Sequence, residues 1–151
     1  MSIKYVIGDA TQPIGSGMKI LTHICNDEGA WGAGFVLAIS KLWKEPERMY
    51  RLRFHTMCLG DVQYVNVEPD LIVANMISQH SFGILKISPP PIRYEALKDC
   101  LKSVADKAAS VKASVHMPRI GTGLAGGKWS VIEPIIEKNL NGISVTVYDF
   151  Q

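Results

Sequence analysis

The spacing of hydrophobic positions switches repeatedly between two periods along the chain. Short apolar or β-branched runs bounded by turn-forming residues predict strands, and apolar residues three or four positions apart predict helices. The predicted strands are residues 3–9, 18–24, 61–67, 71–77, 113–118 and 143–150. The predicted helices are residues 33–43, 45–55 and 130–140, with a fourth that begins near Pro91.

The order of these elements predicts the fold class. Strands that alternate with helices favour a three-layer α/β/α fold with a mixed, mostly parallel central sheet of about six strands. Only Glu68-Pro69-Asp70 separates residues 61–67 from 71–77, which predicts a hairpin. The polar segment 78–91 ends in three prolines and is expected to be a loop. Because no repeat or linker divides the chain, residues 1–151 are expected to form a single domain.

Charge and cysteine content limit the partners and the compartment. Lys and Arg number 16 and Asp and Glu number 14, so the net charge is +2. This excess is too small to neutralise a run of phosphates, and we expect no sequence-specific nucleic-acid binding. Three widely spaced cysteines, no basic and apolar leader and no apolar run of about 18 residues predict a cytoplasmic protein without a membrane anchor.

Glycines are concentrated in two loops between a strand and a helix. Seven of the 13 lie there, namely Gly29, Gly32, Gly34, Gly121, Gly123, Gly126 and Gly127. Such loops follow the carboxyl ends of strands, where unpaired backbone N–H groups and a helix N-terminus favour an anion. For either loop alone, tight turns are the simpler explanation. The presence of two such loops on one sheet favours a diphosphate site.

Neither loop has a known mononucleotide-binding sequence. Gly126-Gly127-Lys128-Trp129 lacks the hydroxyl residue with which a P-loop holds Mg²⁺. Gly121, Gly123 and Gly126 match the GxGxxG spacing, but no βαβ unit with a suitable acidic residue follows them. Because HxH, HExxH and clustered acidic residues are missing from the sequence, we expect no metal and no cofactor.

Four segments resemble the macro domain family. Residues 23–35 (HICNDEGAWGAGF) and 117–129 (MPRIGTGLAGGKW) are similar to its two ligand loops. Gly8-Asp9 resembles its opening motif, and residues 145–149 (VTVYD) fit its last strand. The most similar branch includes the fungal ADP-ribose 1''-phosphate phosphatases, the terminal ADP-ribose protein glycohydrolase and the DNA ADP-ribosyl hydrolase antitoxins. The resemblance implies that the chain binds ADP-ribose.

The resemblance also implies which residues contact the ligand. Asp9 would accept a hydrogen bond from the adenine amino group, and Asn26 would hold the distal ribose. Backbone N–H groups of both glycine loops would surround the two phosphates. Tyr148 or Phe150 would supply an aromatic face. The predicted ligand-binding residues are Asp9, Ala10, Asn26, Trp31, Gly32, Ala33, Gly34, Phe35, Ile120, Gly121, Thr122, Gly123, Leu124, Ala125 and Tyr148.

The catalytic lysine and aspartate of related glycohydrolases are not matched. These enzymes use a Lys after the fourth strand and, in one case, an Asp in the second loop, whereas Gln79 and Ala125 stand in those places here. Lys86 aligns with the Lys only if a gap is introduced. These departures argue against a Lys–Asp mechanism.

Three other residues are predicted to be catalytic: His23, Asn26 and His80. An imidazole with a pKa near 6.5 can exchange protons at neutral pH. Hydrogen bonding within the core is the alternative for His23, and solvation is the alternative for His80. Asp27 and Glu28 follow Asn26 and could orient water, and a solvated pair in the loop is the alternative for them. We therefore expect a monomer that binds ADP-ribose and hydrolyses a derivative at the distal ribose, a 1''-phosphate ester or an ADP-ribosyl ester or glycoside. A reader that binds ADP-ribose without chemistry is the alternative.

Overall fold

Six strands form one sheet in the computed structural model, which describes residues 3–81 and 90–151. The strands are β1 (Lys4–Ile7), β2 (Lys19–Asn26), β3 (Val62–Glu68), β4 (Leu71–Gln79), β5 (Ser114–Pro118) and β6 (Val145–Asp149). The helices are α1 (Phe35–Leu42), α2 (Glu45–Arg53), α3 (Tyr94–Val111) and α4 (Trp129–Asn139), and a short 3-10 turn (Phe54–Thr56) follows α2.

The strand order is β1-β6-β5-β2-β4-β3. Every neighbouring pair is parallel except β3 and β4, which form the predicted antiparallel hairpin. Helices cover both faces: α1 and α2 contribute Val36, Ile39 and Tyr50 to one core cluster. On the other face, α3 and α4 contribute residues such as Leu97 and Ile132. The predicted three-layer, mostly parallel fold is confirmed.

Strand β1 differs from its prediction as a buried strand. It sits at one edge of the sheet, pairs only with β6 and exposes 71% of Ile7. Its apolar residues therefore reflect strand propensity and partial packing more than full burial. In contrast, β2 and β4 lie inside the sheet and are buried along almost their whole length, as continuous apolar runs in parallel sheets usually are.

Several boundaries move by a few residues for local reasons. Helix α1 begins at Phe35, two residues later than predicted, because Gly34 has φ 84° and ψ −151°, which is not helical. Strand β4 continues to Gln79, into the segment predicted as a loop, because it stays paired with β2 as far as Asn26. Helix α3 begins at Tyr94 because Ile92 still forms a bridge to Gln79.

The helices and the cysteine side chains can be compared with what the sequence predicts. None of the helices in the described ranges is both long and apolar enough to cross a membrane. All three cysteines carry free thiols, and Cys25 and Cys100 are buried. Cys58 is exposed because it precedes the tight turn into β3, in which the Asp61 N–H donates to the Cys58 carbonyl.

Candidate functional site

Two cavities meet at the carboxyl ends of the central strands. The glycine-loop cavity has a volume of about 310 Å³ and is lined by residues 33–36 and 118–125 together with His23, Ile24 and Gln79. The Tyr148 cavity has a volume of about 520 Å³ and is lined by residues 9–12, part of α1 and the end of β6. Phe35 and Pro118 line both, so the two cavities form one extended crevice.

The second glycine loop presents a run of unpaired backbone donors. The N–H groups of Gly126 and Gly127 close the loop by donating to the carbonyls of Gly123 and Gly121. Within the described chain, the N–H groups of residues 121–125 have no hydrogen-bond acceptor. Successive free N–H groups in a turn are an anion-binding arrangement, and the N-terminus of α1 lines the same cavity.

The positions of this loop differ in whether the fold requires a glycine there. Gly121 has φ 77°, and a Cβ there would lie 2.5 Å from Ile92 Cδ1. A Cβ on Gly127 would lie 2.6 Å from the Gly121 carbonyl oxygen, so both positions need glycine for the fold. Gly123 has neither a positive φ nor any atom within 4 Å of its ideal Cβ. The fold therefore does not require glycine at 123, which lines the glycine-loop cavity.

The Tyr148 cavity combines an aromatic wall with a carboxylate. Asp9 Oδ1 accepts hydrogen bonds from the Thr11 N–H at 2.9 Å and the Thr11 hydroxyl at 2.7 Å, which fixes the orientation of the carboxyl group. Tyr148 is buried in the wall, whereas Phe150 is 78% exposed at the rim. This end of the crevice suits a flat ring with a polar edge.

His23 is held in the core beside the glycine-loop cavity. Its Nε2 lies 2.6 Å from Asn75 Oδ1, and the Asn75 amide donates to the carbonyl of Pro46 and to Gln63 Oε1. Because Asn75 offers His23 only its oxygen, Nε2 carries the proton and Nδ1 holds a lone pair. Nδ1 is buried and has no hydrogen-bond partner among the described residues. Burial lowers the pKa of His23 to about 4, so the ring is neutral at pH 7.

Asn26 organises the first ligand loop. Its Oδ1 accepts from the backbone N–H groups of Glu28 and Ala30, and its Nδ2 donates to the Ala30 carbonyl. The Tyr50 hydroxyl contacts both the backbone and the side-chain oxygen of Asn26 at 2.6 and 2.8 Å. These bonds shape the turn that leads to α1, and the side chain does not line either cavity.

His80 forms a pair with Asp27 across the ends of β2 and β4. His80 Nδ1 lies 2.8 Å from Asp27 Oδ2, and the Ser81 N–H donates to Asp27 Oδ1. Partial burial would raise the pKa of Asp27, but these hydrogen bonds lower it overall. Potential ligand atoms of Asp27, Glu28 and His80 lie within 4.8 Å of one another. The hydrogen bonding accounts for this cluster, and the expectation of no metal stays a prediction.

Most predicted ligand-binding residues line the crevice, and four predicted residues do not. Asn26, Trp31, Gly32 and His80 lie outside both linings. Trp31 is buried in the core, where its indole N–H donates to Ser40 Oγ. The predicted residues that line the crevice are Asp9, Ala10, His23, Ala33, Gly34, Phe35, Ile120, Gly121, Thr122, Gly123, Leu124, Ala125 and Tyr148. Lys86 lies outside the described residues.

Other lining residues were missed from sequence. The Arg119 guanidinium lies over the rings of Tyr5 and Trp129, 5.0 and 5.2 Å from their centroids, and forms a bidentate pair with Asp149. In the sequence, the position of Arg119 directly before the second glycine loop was the feature that could have indicated its place in the cavity lining. The others were hidden by ordinary helix or turn patterns: Thr11, Gln12, Ile24, Val36, Ala38, Lys41, Leu42 and Pro118.

A solved structure resembles this one over nearly its full length. The macrodomain protein from Streptomyces coelicolor is 52% identical to this chain, and the alignment covers 98% of this chain and 99% of that one with a TM-score of 0.86. This chain belongs to the macrodomain family. No family model matches the macrodomain's sequence.

Two curated relatives align with the whole macrodomain. The Mus musculus Chromodomain-helicase-DNA-binding protein 1-like is 34% identical over 163 residues. That alignment covers 99% of the macrodomain but only 18% of the mouse protein. The ADP-ribose 1''-phosphate phosphatase of Lodderomyces elongisporus is 24% identical over 161 residues, which cover 98% of each chain. The macrodomain therefore corresponds to a small part of the first relative and to nearly all of the second.

Proposed function

We propose that this macrodomain binds ADP-ribose, with the diphosphate in the glycine-loop cavity and the adenosine in the Tyr148 cavity. The observation that carries this proposal is the run of unpaired N–H groups at residues 121–125, which faces the N-terminus of α1 across one cavity. Backbone donors can bind a dianion without a large positive charge, which agrees with the net charge of +2. One extended ligand can occupy both cavities because they meet at Phe35 and Pro118.

We propose further that the bound ADP-ribose derivative is hydrolysed at its distal ribose. The name of the Lodderomyces relative, whose whole length aligns, supports an ADP-ribose 1''-phosphate ester as one substrate. Hydrolysis of that ester consumes one water and releases ADP-ribose and phosphate. ADP-ribosyl esters and glycosides present the same distal ribose and are the other substrate class.

His23, Asn26 and His80 have different roles in this proposal. His23 is neutral, so Nδ1 acts as a hydrogen-bond acceptor that orients water or a ribose hydroxyl. Asn26 holds the loop that carries the N-terminus of α1. The bond from His80 Nδ1 to Asp27 orients the ring and leaves Nε2 as its proton-exchanging atom.

A reader that binds ADP-ribose without chemistry is the second candidate. Gln79 and Ala125 both line the glycine-loop cavity, in the places where related glycohydrolases carry Lys and Asp. An amide and a methyl group cannot supply the charge or the proton transfer of that pair. This observation favours the reader over a Lys–Asp glycohydrolase, but it does not bear on a phosphatase that uses other groups.

Calorimetry and turnover assays separate the two candidates. The wild type is titrated with ADP-ribose and incubated with ADP-ribose 1''-phosphate and with ADP-ribosylated protein and DNA. The enzyme proposal predicts binding and release of ADP-ribose from at least one substrate, with loss of release in His23→Ala. Binding without release identifies the reader. If ADP-ribose does not bind, the site assignment itself is wrong.

We also propose that residues 1–151 act as one monomeric domain in the cytoplasm, without sequence-specific nucleic-acid binding. The small net charge and the three free cysteines support this setting. Size-exclusion chromatography with light scattering tests the monomer, and a mass twice that of the 16.6 kDa chain would contradict it.

A further inference from the structure

A chain of hydrogen bonds, buried at its centre and partly buried at both ends, runs behind the Tyr148 cavity. The Tyr148 hydroxyl oxygen accepts from the Ile14 N–H at 2.9 Å and lies 2.7 Å from His116 Nδ1. On the other side of the imidazole, Nε2 lies 2.8 Å from Ser114 Oγ. His116 and Tyr148 are both buried, on the neighbouring strands β5 and β6. Four residues are thus joined from β5 through β6 to the segment between β1 and β2.

The partners fix where the protons lie. Because the Tyr148 oxygen already accepts from Ile14, its own proton is best satisfied by donation to His116 Nδ1. The imidazole then carries its proton on Nε2 and donates it to Ser114 Oγ. This arrangement gives an acceptor to the Ile14 N–H, the Tyr148 hydroxyl and the His116 Nε2–H. Burial and the nearby charge of Lys19 lower the pKa of His116 to about 4, which agrees with a neutral ring.

The Tyr148 hydroxyl connects two walls of the cavity. The Tyr148 side chain forms one wall, and residues 9–12 form another. Ile14 is two residues beyond that second wall, and its N–H is held by the Tyr148 oxygen. The position of the hydroxyl therefore sets the distance between the aromatic wall and the segment that carries Asp9.

We infer that His116 is a positioning residue for the adenosine end of the site. His116 lines neither cavity and acts through Tyr148, a lining residue whose hydroxyl it orients. The ligand assigned to the cavity rests on the proposed function. The coupling between His116 and Tyr148 does not depend on which ligand the cavity binds.

Two substitutions of similar size separate positioning from core filling. His116→Asn places an amide oxygen near the former Nδ1, where it can still accept from Tyr148. His116→Gln places its amide near the former Nε2, where it can donate to Ser114 but leaves the Tyr148 proton without its acceptor. His55, which is exposed and outside both cavity linings, supplies the matched controls His55→Asn and His55→Gln.

The expected result is an affinity difference between the two variants. Calorimetry with ADP-ribose should give His116→Asn a Kd within about threefold of the wild type, and His116→Gln a Kd roughly tenfold higher. In a Tyr148→Phe background the two variants should have the same Kd, because the hydroxyl is gone. Equal affinities of His116→Asn and His116→Gln in the wild-type background would overturn the inference, whether both are strong or both weak.

A second measurement works without a ligand. In protein with ¹³C-labelled tyrosine, the Tyr148 ring signals of His116→Asn should stay near the wild-type positions, and those of His116→Gln should shift. If the wild type fails to bind ADP-ribose but this difference is present, the proposed function fails and the coupling stands. If His116→Gln does not fold, Tyr148→Phe alone and Tyr148→Phe combined with His116→Asn still test the coupling. Tyr148→Phe should weaken binding, and adding His116→Asn should not weaken it further. A further loss in the double variant would contradict the coupling.

Discussion

His23 and Asn75 are register partners on the neighbouring strands β2 and β4, and their side chains meet with 2.6 Å between Nε2 and Oδ1. Gln63 on β3 and the carbonyl of Pro46 in α2 take the two hydrogens of the Asn75 amide. Three adjacent strands and a helix therefore determine which nitrogen of His23 carries the proton. The catalytic prediction for His23 thus depends on residues that do not reach the crevice.

Asn75→Leu should destabilise the fold and reduce turnover together. The change leaves the buried His23 Nε2–H without an acceptor and the Pro46 carbonyl and Gln63 Oε1 without their donor, which should lower the free energy of unfolding by about 1–3 kcal/mol. Urea denaturation measures the loss, and substrate assays measure turnover. Asn66→Leu is the control, because Asn66 is exposed on β3. Full turnover by folded Asn75→Leu would show that the tautomer of His23 is irrelevant to the reaction.

Gly123→Ala and Gly121→Ala should separate binding from folding. A Cβ at 123 meets open space, so the melting temperature should stay near that of the wild type while ADP-ribose affinity falls. A Cβ at 121 would overlap Ile92 and sit at a positive φ, so that variant should lose about 1–3 kcal/mol of stability. Calorimetry and thermal melts of both variants give the comparison. Unchanged affinity in both Gly123→Ala and the bulkier Gly123→Glu would place the diphosphate elsewhere.

Stability should fall as the pH drops below about 6.5. Burial lowers the pKa of both His23 and His116 to about 4, whereas an unfolded histidine titrates near 6.5. Between these values the unfolded chain binds more protons than the folded chain, so acidification favours unfolding. The expected loss is about 1.4 kcal/mol per pH unit for each histidine, and their contribution is complete above about pH 6.5.

Urea denaturation between about pH 7.5 and pH 5 measures this dependence. Carboxylates are ionised over most of that range and contribute little to it. His116→Asn should remove about half of the slope, because one of the two buried imidazoles is gone. A slope that stays the same in this variant would mean that His116 titrates normally in the folded protein.

Tyr50→Phe should weaken ligand binding through the loop that follows β2. The Tyr50 hydroxyl contacts two oxygens of Asn26 and accepts from the Gly29 N–H, so its loss frees the loop that precedes α1. We expect about threefold weaker binding of ADP-ribose and a stability loss near 1 kcal/mol. Tyr64→Phe is the matched control, since that hydroxyl bonds Ser103 away from the crevice. Equal effects of the two variants on affinity would contradict the loop role.

The fold was predictable because its central strands carry strong local signals. The buried strands β2 and β4 read as apolar runs, and Glu68-Pro69-Asp70 defines the hairpin between β3 and β4. The edge position of strand β1 could not be predicted, because the same apolar residues occur in strands that are covered on one face or on both faces. Helix starts also depended on backbone angles such as that of Gly34, which a residue type permits but does not dictate.

The site was predictable where recognition uses the backbone and unpredictable where it depends on long-range contacts. Both glycine loops lie at one crevice, as their position after β2 and β5 indicates. The hydrogen bond between His116 and Tyr148 joins residues 32 positions apart, and that between His23 and Asn75 joins residues 52 positions apart. No local pattern marks such pairs. For the same reason, Trp31 next to the loop glycines belongs to the core rather than to the crevice.

Strand β6 lies between β1 and the rest of the sheet. As the chain is synthesised, β1 emerges first, but the strand that anchors it emerges after every other element. The Asp9 side of the crevice therefore has no fixed position relative to Phe35 until Val145–Asp149 has inserted. A nascent chain that has already formed both glycine loops still lacks the Tyr148 wall of the crevice, so ligand capture should begin only after Val145–Asp149 has emerged and paired.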